Sequence, residues 1–339
     1  MKIAVLSPVA WSTPPKKYGP WEQVASNVAE CLIQKGHEVT LFATGDSLTK
    51  GKLVSVCDTP YGEDLEMDPK VWECMHISNV MEHADQFDII HNHYDFLPLT
   101  YSKLISTPIV TTIHGFSSPK ILPVFKKYND HCYYISISNS DRNKELDYTA
   151  TVYNGIDSDC LSYNPDPDDY LLFFGRIHHD KGTFEAVKIA QKLNKKLIIS
   201  GLIQDQSYFE TKVMPNINSK NVIYVGNSGP EQRNKLLGGA YALLHPINFE
   251  EPFGLTVAEA GFCGTPVIAF NRGSMPELII DGKTGFLVRN IDEACHAVFK
   301  LPNINREDCR AHALSNFTRE KMTDSYLEVY KKVLREKEK

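Results

Sequence analysis

Short apolar runs alternate with amphipathic stretches along most of the chain. Because a strand that is buried on both faces reads as a continuous apolar run, this alternation is typical of parallel sheets covered by helices. In the first half the predicted strands are KIAVLS (2–7), EVTLFA (38–43), FDIIH (87–91), PIVTTI (108–113) and CYYISI (132–137). In the second half they are LLFFG (171–175), KLIISG (196–201), VIYVG (222–226), YALLH (241–245), PVIAF (266–270) and GFLV (285–288). The pattern predicts an α/β protein with parallel sheets.

The stretch WEQVASNVAECLIQKGH after the first strand predicts an amphipathic helix. Val24, Val28 and Leu32 recur in it at helical spacing, and Gly36 is placed to end the helix. Open α/β sheets bind ligands beyond the carboxyl ends of their strands. We therefore expect the functional residues in the loops that follow the strands.

The alternation stops at DSDCLSYNPDPDDY (157–170), which contains two prolines and five aspartates and has little apolar content. Such a composition is typical of a linker. We therefore predict two Rossmann-like α/β domains, residues 1–155 and 156–317. A final helix near residues 318–339 is predicted to pack on either half, and the cleft between the two domains is the expected ligand site.

Composition agrees with two globular domains and limits the classes of partner. The chain has 339 residues, of which 42% are hydrophobic, enough for more than one core. Its net charge is −6, so a nucleic-acid-binding protein is disfavoured.

Cysteine spacing and apolar run lengths indicate a cytoplasmic location. The eight cysteines are scattered without a C-x-x-C pair, as in reduced intracellular proteins. The start MKIAVLSPVAW is interpreted as a first strand, and no apolar run reaches the length of a transmembrane helix. The charged tail YKKVLREKEK is interpreted as a solvated helix end, while peripheral membrane contact stays an alternative.

The stretch NFEEPFGLTVAEAGFCG (248–264) carries two spaced carboxylates around a Pro-Phe-Gly turn. Glu251 is predicted on the loop and Glu259 about one turn into a helix. The N–H groups of Phe253, Gly254 and Leu255 lie at the helix entrance, where backbone donors lack helical partners. Carboxylates beside free amides suit a polyhydroxylated ligand, although a surface charge and a dipole-compensating glutamate are the plainer alternative. The fixed spacing around the turn favours ligand binding.

The stretch LLFFGRIHHDKGTFEA (171–186) places two cations after an apolar strand. Arg176 and Lys181 follow Gly175 and precede a predicted helix that begins near Gly182. Two cations facing a helix N-terminus suit a diphosphate, which arginine grips with two N–H bonds while lysine adds a mobile charge. The alternative is a salt bridge between Arg176 and a nearby acid.

The loop PPKKYGPWEQ (14–23), between the first strand and the first helix, is a further candidate contact with the ligand. It contains Gly19 but lacks the G-x-G-x-x-G fingerprint, so NAD and FAD are disfavoured.

Histidines stand at the ends of two predicted strands, in HNHYD (91–95) and TTIHGF (111–116). His91 and His93 could share one face as metal ligands, but further ligands are lacking, and we favour satisfied structural residues. We place His114, which Gly115 follows, in the ligand cleft.

Taken together, these motifs resemble the retaining GT-B glycosyltransferases of family 4, the group 1 enzymes with the E-x7-E motif. EPFGLTVAE corresponds to that motif, and the similarity covers nearly the whole chain. The further matching stretches, in family order, are YGPWEQVASNVAECLIQKGHEVTLFA, TTIHG, VYNGID, GRIHHDKG and GTPVIAFNRGSMPELIIDGKTGFLV. The resemblance implies a GT-B fold, in which two Rossmann-like domains with parallel sheets face each other across a deep cleft. Many family members have two glycines where this chain has Gly19-Pro20, and proline removes an amide donor from that loop.

The resemblance also implies a role for each matching residue. Glu251 and His114 would lie at the donor sugar near the reacting carbon, and Glu259 would bind the ribose hydroxyls. The amides of Phe253, Gly254 and Leu255 would contact the sugar. Arg176 and Lys181 would neutralise the diphosphate, helped by the Gly19 loop. Glu250 receives no role and is expected to be a solvated neighbour.

The resemblance implies a hexosyltransferase of carbohydrate biosynthesis with no metal and no other cofactor. Its co-substrate would be a UDP-, GDP- or ADP-sugar, and its acceptor a hydroxyl on a small molecule, a glycan or a lipid-linked molecule. The N-terminal domain would hold the acceptor and the C-terminal domain the donor.

Other functions fit parts of the same pattern. A glycoside phosphorylase or a sugar-nucleotide epimerase would use the same two-domain scaffold. A metal-dependent hydrolase would use HNHYD, and a non-catalytic sugar-nucleotide-binding protein would keep the motifs without turnover. A cytoplasmic glycosyltransferase accounts for most of the motifs together.

Overall fold

The computed structural model describes residues 1–64, 66–115, 119–218 and 220–337. The chain divides into two compact units. The first contains Met1–Gly155 and Arg319–Lys339, and the second contains Ile156–Thr318. The last helix of the chain therefore belongs to the first unit; residues 338 and 339, at the end of the predicted C-terminal helix, lie outside the described residues.

The sheet of the first unit has seven strands within the described residues, all parallel, in the order β3-β2-β1-β4-β5-β6-β7. Its strands are β1 (Lys2–Leu6), β2 (Glu38–Phe42), β3 (Lys52–Val54), β4 (Ile89–Asn92), β5 (Ile109–Ile113), β6 (Tyr133–Ser136) and β7 (Tyr148–Thr151). The two edge strands, β3 and β7, were absent from the sequence prediction. Both are short and only partly buried, so neither forms an apolar run.

The sheet of the second unit has six described strands, also parallel, in the order β10-β9-β8-β11-β12-β13. Its strands are β8 (Tyr170–Phe174), β9 (Lys196–Ser200), β10 (Val222–Tyr224), β11 (Ala242–His245), β12 (Val267–Phe270) and β13 (Gly285–Val288). Each lies within or next to a predicted apolar run, so the sequence prediction of these strands is confirmed.

Helices connect the strands of both units. Within the described residues the α-helices are α1 (Pro20–Gln34), α2 (Pro69–Glu82), α3 (Leu122–Lys127), α4 (Thr183–Leu193), α5 (Gln206–Tyr208), α6 (Pro230–Gly239), α7 (Leu255–Phe262), α8 (Met275–Leu278), α9 (Ile291–Lys300), α10 (Arg306–Asn316) and α11 (Arg319–Lys337). Helix α11 packs against α1, and its Tyr326 and Tyr330 are fully buried in the first unit. None of the described helices combines the length and the apolar character that crossing a bilayer requires.

The order of each sheet creates one switch point. In the first unit the chain proceeds outward from β1 to β3 and then restarts on the other side of β1 with β4; in the second unit the same reversal separates β8 from β11. Loops after two such strands diverge to opposite faces of the sheet and leave a crevice between them, where ligands bind in this class of fold. The loops that follow β1, β4, β8 and β11 are thus the places to look for function.

Candidate active site

The loop after β8 carries the two predicted phosphate-binding cations. Arg176 follows Gly175 and donates a hydrogen bond from Nη1 to Oε1 of Gln204. Within the described residues Arg176 forms no ion pair; the acids near this loop pair with His178, His179 and Lys181 instead. The alternative of a salt bridge between Arg176 and a nearby acid is therefore wrong. Lys181 ends the loop, and its Nζ also lies 4.6 Å from the ring centre of Phe249.

The loop between β11 and α7 brings Glu251 to the same place. Its carboxylate is buried and forms an ion pair with Lys181 through Oε2. The same oxygen lies 3.4 Å from Nε2 of His245, the last residue of β11. The two loops at the switch point therefore meet in a buried cluster of one carboxylate, one ammonium and one imidazole.

This environment fixes the charge of Glu251. Burial alone would raise the pKa of the carboxyl, but the charge of Lys181 and the adjacent His245 outweigh it and lower the pKa to about 2. Glu251 is therefore ionised at every physiological pH, so it can stabilise positive charge but is not available as a proton donor.

The backbone around Glu251 is fixed by the loop that follows β12. The N–H of Ser274 donates to the Glu251 carbonyl at 2.9 Å, and the Ser274 hydroxyl donates to the Phe253 carbonyl at 2.6 Å. The Gly273 N–H donates to Oε2 of Glu250 at 2.5 Å. Glu250 is exposed, as expected of a solvated neighbour, and its side chain in addition ties these two loops together.

Helix α7 begins after Gly254, whose φ of 91° is in the left-handed region, as the predicted Pro-Phe-Gly turn requires. Phe253, Gly254 and Leu255 lie at this helix entrance, where backbone N–H groups have no helical acceptor. Glu259 lies in the second turn and is buried, with Oε1 at 3.0 Å from Nη1 of Arg233 on α6.

Arg233 was missed in the sequence because it comes from a helix without a clear apolar face, far from both motifs. Its guanidinium also lies 5.6 Å from the ring centre of Phe174, at the end of β8. Arg233 thus connects the strand that precedes the cation loop with the second carboxylate of the E-x7-E motif.

In the first unit, Gly19 lies in the loop after β1 and immediately precedes α1. Its φ is 154°, and a Cβ there would come within 2.8 Å of the Cβ of Pro15, so the loop is closely packed. In the first turn of α1, Glu22 is 3% exposed, and burial raises the pKa of its carboxyl to about 7. Glu22 was another omission of the sequence analysis, which offered no signal for its burial.

His114 follows β5, and its Nε2 lies 2.9 Å from Nδ1 of His93, with hydrogen-bonding geometry. The indole of Trp21 stacks on the imidazole of His114 with ring centres 5.6 Å apart. Burial lowers the pKa of His114 to about 3, so this imidazole is neutral at physiological pH. His114 can offer or accept a hydrogen bond but does not carry a charge.

His91 is a structural residue, as its position at a strand end predicted. Its Nε2 contacts the Thr112 hydroxyl at 2.8 Å, and its Nδ1 contacts the Tyr330 hydroxyl at 2.6 Å. Both ring nitrogens are therefore occupied by protein partners, and His91 is not available as a metal ligand.

A different group of side chains comes close enough to share a metal ion in the described part of the chain. The ligand atoms of His178, His179 and Asp205 lie within 4.8 Å of one another. His179 is exposed, and the Asp180 carboxylate lies 3.3 Å from His178 and 3.0 Å from His179. The backbone N–H of Asp180 also donates to Nδ1 of His178 at 3.3 Å, so contacts within the protein already engage this group.

Comparison with known proteins identifies the family. The family model for "Glycosyl transferases group 1" matches residues 162–321, and that for "Glycosyltransferase Family 4" matches residues 21–159. An uncharacterized glycosyltransferase of Methanocaldococcus jannaschii is 24% identical over 326 residues, which cover 82% of this chain and 83% of the relative.

Two solved structures share the fold. Sucrose-phosphate synthase from Thermosynechococcus elongatus superposes with a TM-score of 0.80 at 17% identity and covers 99% of both chains. Anabaena HepE in complex with UDP-glucose superposes with a TM-score of 0.73 at 19% identity, over 98% of this chain and 100% of HepE. The predicted fold class, GT-B with two Rossmann-like units, is confirmed. The chain is a glycosyltransferase enzyme and belongs to the group 1 glycosyltransferases of family 4.

Proposed function

We propose that this glycosyltransferase moves a hexose-type sugar from a nucleotide-diphosphate sugar to a hydroxyl acceptor with retention of configuration. The observation that carries the proposal is the buried pair of Lys181 and Glu251 at the switch point between β8 and β11, with Arg176 on the same loop as Lys181. Two cations on one loop and one ionised carboxylate at its end match the charges that separate when a glycosyl-phosphate bond breaks. Anabaena HepE, which shares the fold, has been solved with UDP-glucose.

The charges divide the work between the leaving group and the sugar. As the bond breaks, the diphosphate gains negative charge and the anomeric carbon becomes positive. Arg176 and Lys181 neutralise the diphosphate, and ionised Glu251 stabilises the positive carbon. Donors aimed at developing charge are usually the largest catalytic contribution, with one donor contributing roughly 3–4 kcal/mol.

The remaining residues position the donor and the acceptor. Glu259, oriented by Arg233, accepts hydrogen bonds from the ribose hydroxyls, and the amides of Phe253, Gly254 and Leu255 contact the sugar. In the first unit, Gly19 lets the chain approach the diphosphate closely, and neutral His114 contacts the donor sugar. The acceptor is a hydroxyl of a small molecule, a glycan or a lipid-linked molecule. Two cations take the place of a metal, so turnover needs no metal and no other cofactor.

Ligand-induced stabilisation tests the donor. Thermal unfolding is followed with UDP-, GDP-, ADP- and dTDP-sugars, each with EDTA present. A ligand at a hundred times its dissociation constant adds about 2.7 kcal/mol to the free energy of unfolding. We expect one nucleotide class to stabilise the protein in the presence of EDTA. Stabilisation by none of them would contradict the proposal.

Arg176→Ala tests the role of the diphosphate cations in turnover with the donor found in that screen. We expect kcat to fall about a hundredfold or more, the cost of removing one preorganised donor. Arg289→Ala is the matched control, because Arg289 is 83% exposed and pairs only with Glu293 among the described residues. Near-normal turnover by Arg176→Ala would refute the role of Arg176 at the diphosphate. Retention is tested separately, by reading the anomeric configuration of the product by NMR.

A further inference from the structure

His245 is a buried titratable residue with no role in the mechanism proposed above. It ends β11, next to the switch point, and is 5% exposed. Its neighbour in β12 is the apolar Ala269. The charged side chains that face it come from the two adjoining loops: Lys181 from the loop after β8, and Glu251 from the loop after β11.

The two oxygens of Glu251 are not equivalent. Oε2 faces both Nζ of Lys181 and Nε2 of His245, whereas no described residue hydrogen-bonds to Oε1. Nε2 of His245 lies 3.4 Å from Oε2 but makes no hydrogen bond within the described residues. We assign the ring proton of the neutral form to Nε2, because a bare nitrogen would face another lone pair. No hydrogen bond from the described residues engages Nδ1, which is the atom that can accept a second proton.

Lys181 faces competing demands when a diphosphate binds. Its ammonium holds the buried carboxylate of Glu251, but the diphosphate adds two further negative charges that the same ammonium is proposed to bind. A buried carboxylate that loses its cation is strongly destabilised. Histidine is the side chain that can replace the lost charge near neutral pH, since it gains a proton in that range.

We propose that His245 takes up a proton when a nucleotide-diphosphate sugar draws Lys181 away from Glu251. The proton comes from solvent and binds Nδ1. The charged ring then forms, through Nε2–H, the hydrogen bond to Oε2 that the 3.4 Å contact lacks before the diphosphate binds, and no other covalent bond changes. An imidazolium–carboxylate pair then replaces the ammonium–carboxylate pair and keeps Glu251 ionised. His245 is thus a positioning residue, and the inference rests on the proposed function of Lys181.

Calorimetric titration in buffers with different ionisation enthalpies measures this proton directly. UDP-glucose, GDP-mannose and ADP-glucose are the probes, because their diphosphates have no group that titrates near neutral pH. Each is titrated into the protein in HEPES and in Tris, because a phosphate buffer would itself compete for Arg176 and Lys181. For the sugar that binds, we expect net uptake approaching one proton.

Two variants of His245 separate proton uptake from packing. His245→Gln keeps an N–H donor for Glu251 but cannot be protonated, so we expect binding to persist with no proton uptake. His245→Phe removes the donor as well, and we expect binding about ten- to a hundredfold weaker, as for a lost hydrogen bond to a charged group. His296→Gln on α9 is the matched control, because His296 is exposed in the same unit, and its proton uptake should equal that of the wild type.

The outcomes distinguish this inference from the function on which it rests. Binding without proton uptake in the wild-type protein overturns the inference and leaves the donor assignment intact. Undiminished uptake in His245→Gln also overturns it, since another group then takes the proton. If none of these sugars binds and no sugar stabilises the protein in the thermal screen, the proposed function is overturned and the inference with it. The wild-type titration decides between these outcomes even if a His245 variant does not fold.

Discussion

Gly182→Ala tests whether the distance between the loops after β8 and β11 matters for catalysis as well as for stability. Gly182 links Lys181 to α4 and has a φ of 72°, in the left-handed region. A Cβ built there would lie 1.8 Å from the carbonyl oxygen of Pro246, in the loop that leads from β11 to Glu251. Real Cβ atoms essentially never approach closer than 3.0 Å, so Gly182→Ala must push the two loops apart by about 1 Å.

Gly282→Ala provides the matched control in the same unit. Gly282 has a φ of 75°, almost the same backbone conformation, but a Cβ there would meet nothing within 4 Å. Both variants therefore bear the left-handed penalty of roughly 1–2 kcal/mol, partly offset by the lower entropy of the unfolded alanine chain. The clash is present in Gly182→Ala alone.

The expected magnitudes follow from this difference. For Gly282→Ala we expect a loss of about 1 kcal/mol, which lowers the melting temperature by about 3 °C in a unit of this size. Overpacking adds about 1–3 kcal/mol for Gly182→Ala, so its melting temperature should fall by roughly 10 °C. A 1 Å displacement of Lys181 from Glu251 should also lower kcat/KM about a hundredfold, whereas Gly282→Ala should leave it unchanged.

Calorimetric unfolding and steady-state assays with the donor found in the stabilisation screen check both quantities. If Gly182→Ala matched Gly282→Ala in melting temperature and in kcat/KM, the close approach of the two loops would be irrelevant to the site. If it lost stability but kept its kcat/KM, the loops would matter for folding alone.

Three further predictions concern buried charges. The pKa of Glu22 is about 7 in the folded chain and 4.5 in the unfolded chain. The free energy of unfolding of the wild type should therefore fall by about 3 kcal/mol as the pH rises from about 4.5 to 7. Urea unfolding of Glu22→Gln should lack this loss. The pKa of Glu251 is about 2, so its contribution to the free energy of unfolding is present above about pH 4.5 and is lost as the pH falls toward 2. Acid titration followed by circular dichroism should therefore show a smaller loss of stability over this range in Glu251→Gln than in the wild type. The buried Arg306 guanidinium donates hydrogen bonds to the carbonyls of Asn164, Gly238 and Ala240. Arg306→Met should therefore lower the free energy of unfolding in urea by about 3 kcal/mol or more. A loss as small as that of Arg289→Met would contradict a structural role.

The central strands could be predicted from sequence because both of their faces are buried. β8 and β12 read as unbroken apolar runs, and β1 and β5 are apolar apart from Lys2, Thr111 and Thr112. The site loops follow directly from the ends of such strands. The edge strands escaped prediction because an edge needs no continuous apolar run, and half-buried YTAT resembles a loop. The order of the strands in each sheet cannot be predicted from any local sequence pattern, yet that order places the loops after β8 and β11 side by side.

The partners of the motif residues were harder to predict than the motifs. Arg233 lies on α6, 26 residues before Glu259, and nothing in PEQRN distinguishes it from a solvated arginine. His245 did leave a signal, since it is a polar residue at the carboxyl end of the apolar run YALLH. Glu22 left none, because its burial depends on how the loop after β1 folds over α1.

The environments of the titratable groups set opposite electrostatic characters for the two units. In the second unit, Arg176 and Lys181 supply positive charge, and the low pKa of Glu251 keeps its carboxylate ionised. In the first unit, burial lowers the pKa of His114 to about 3, so that the imidazole is neutral, and raises the pKa of Glu22 to about 7, so that this carboxyl is ionised much less than an exposed glutamate. The charged residues of the second unit match a charged diphosphate, whereas an uncharged sugar hydroxyl needs neutral hydrogen-bonding groups. This contrast is why we propose Arg176 and Lys181 for the diphosphate and neutral His114 for an uncharged sugar hydroxyl.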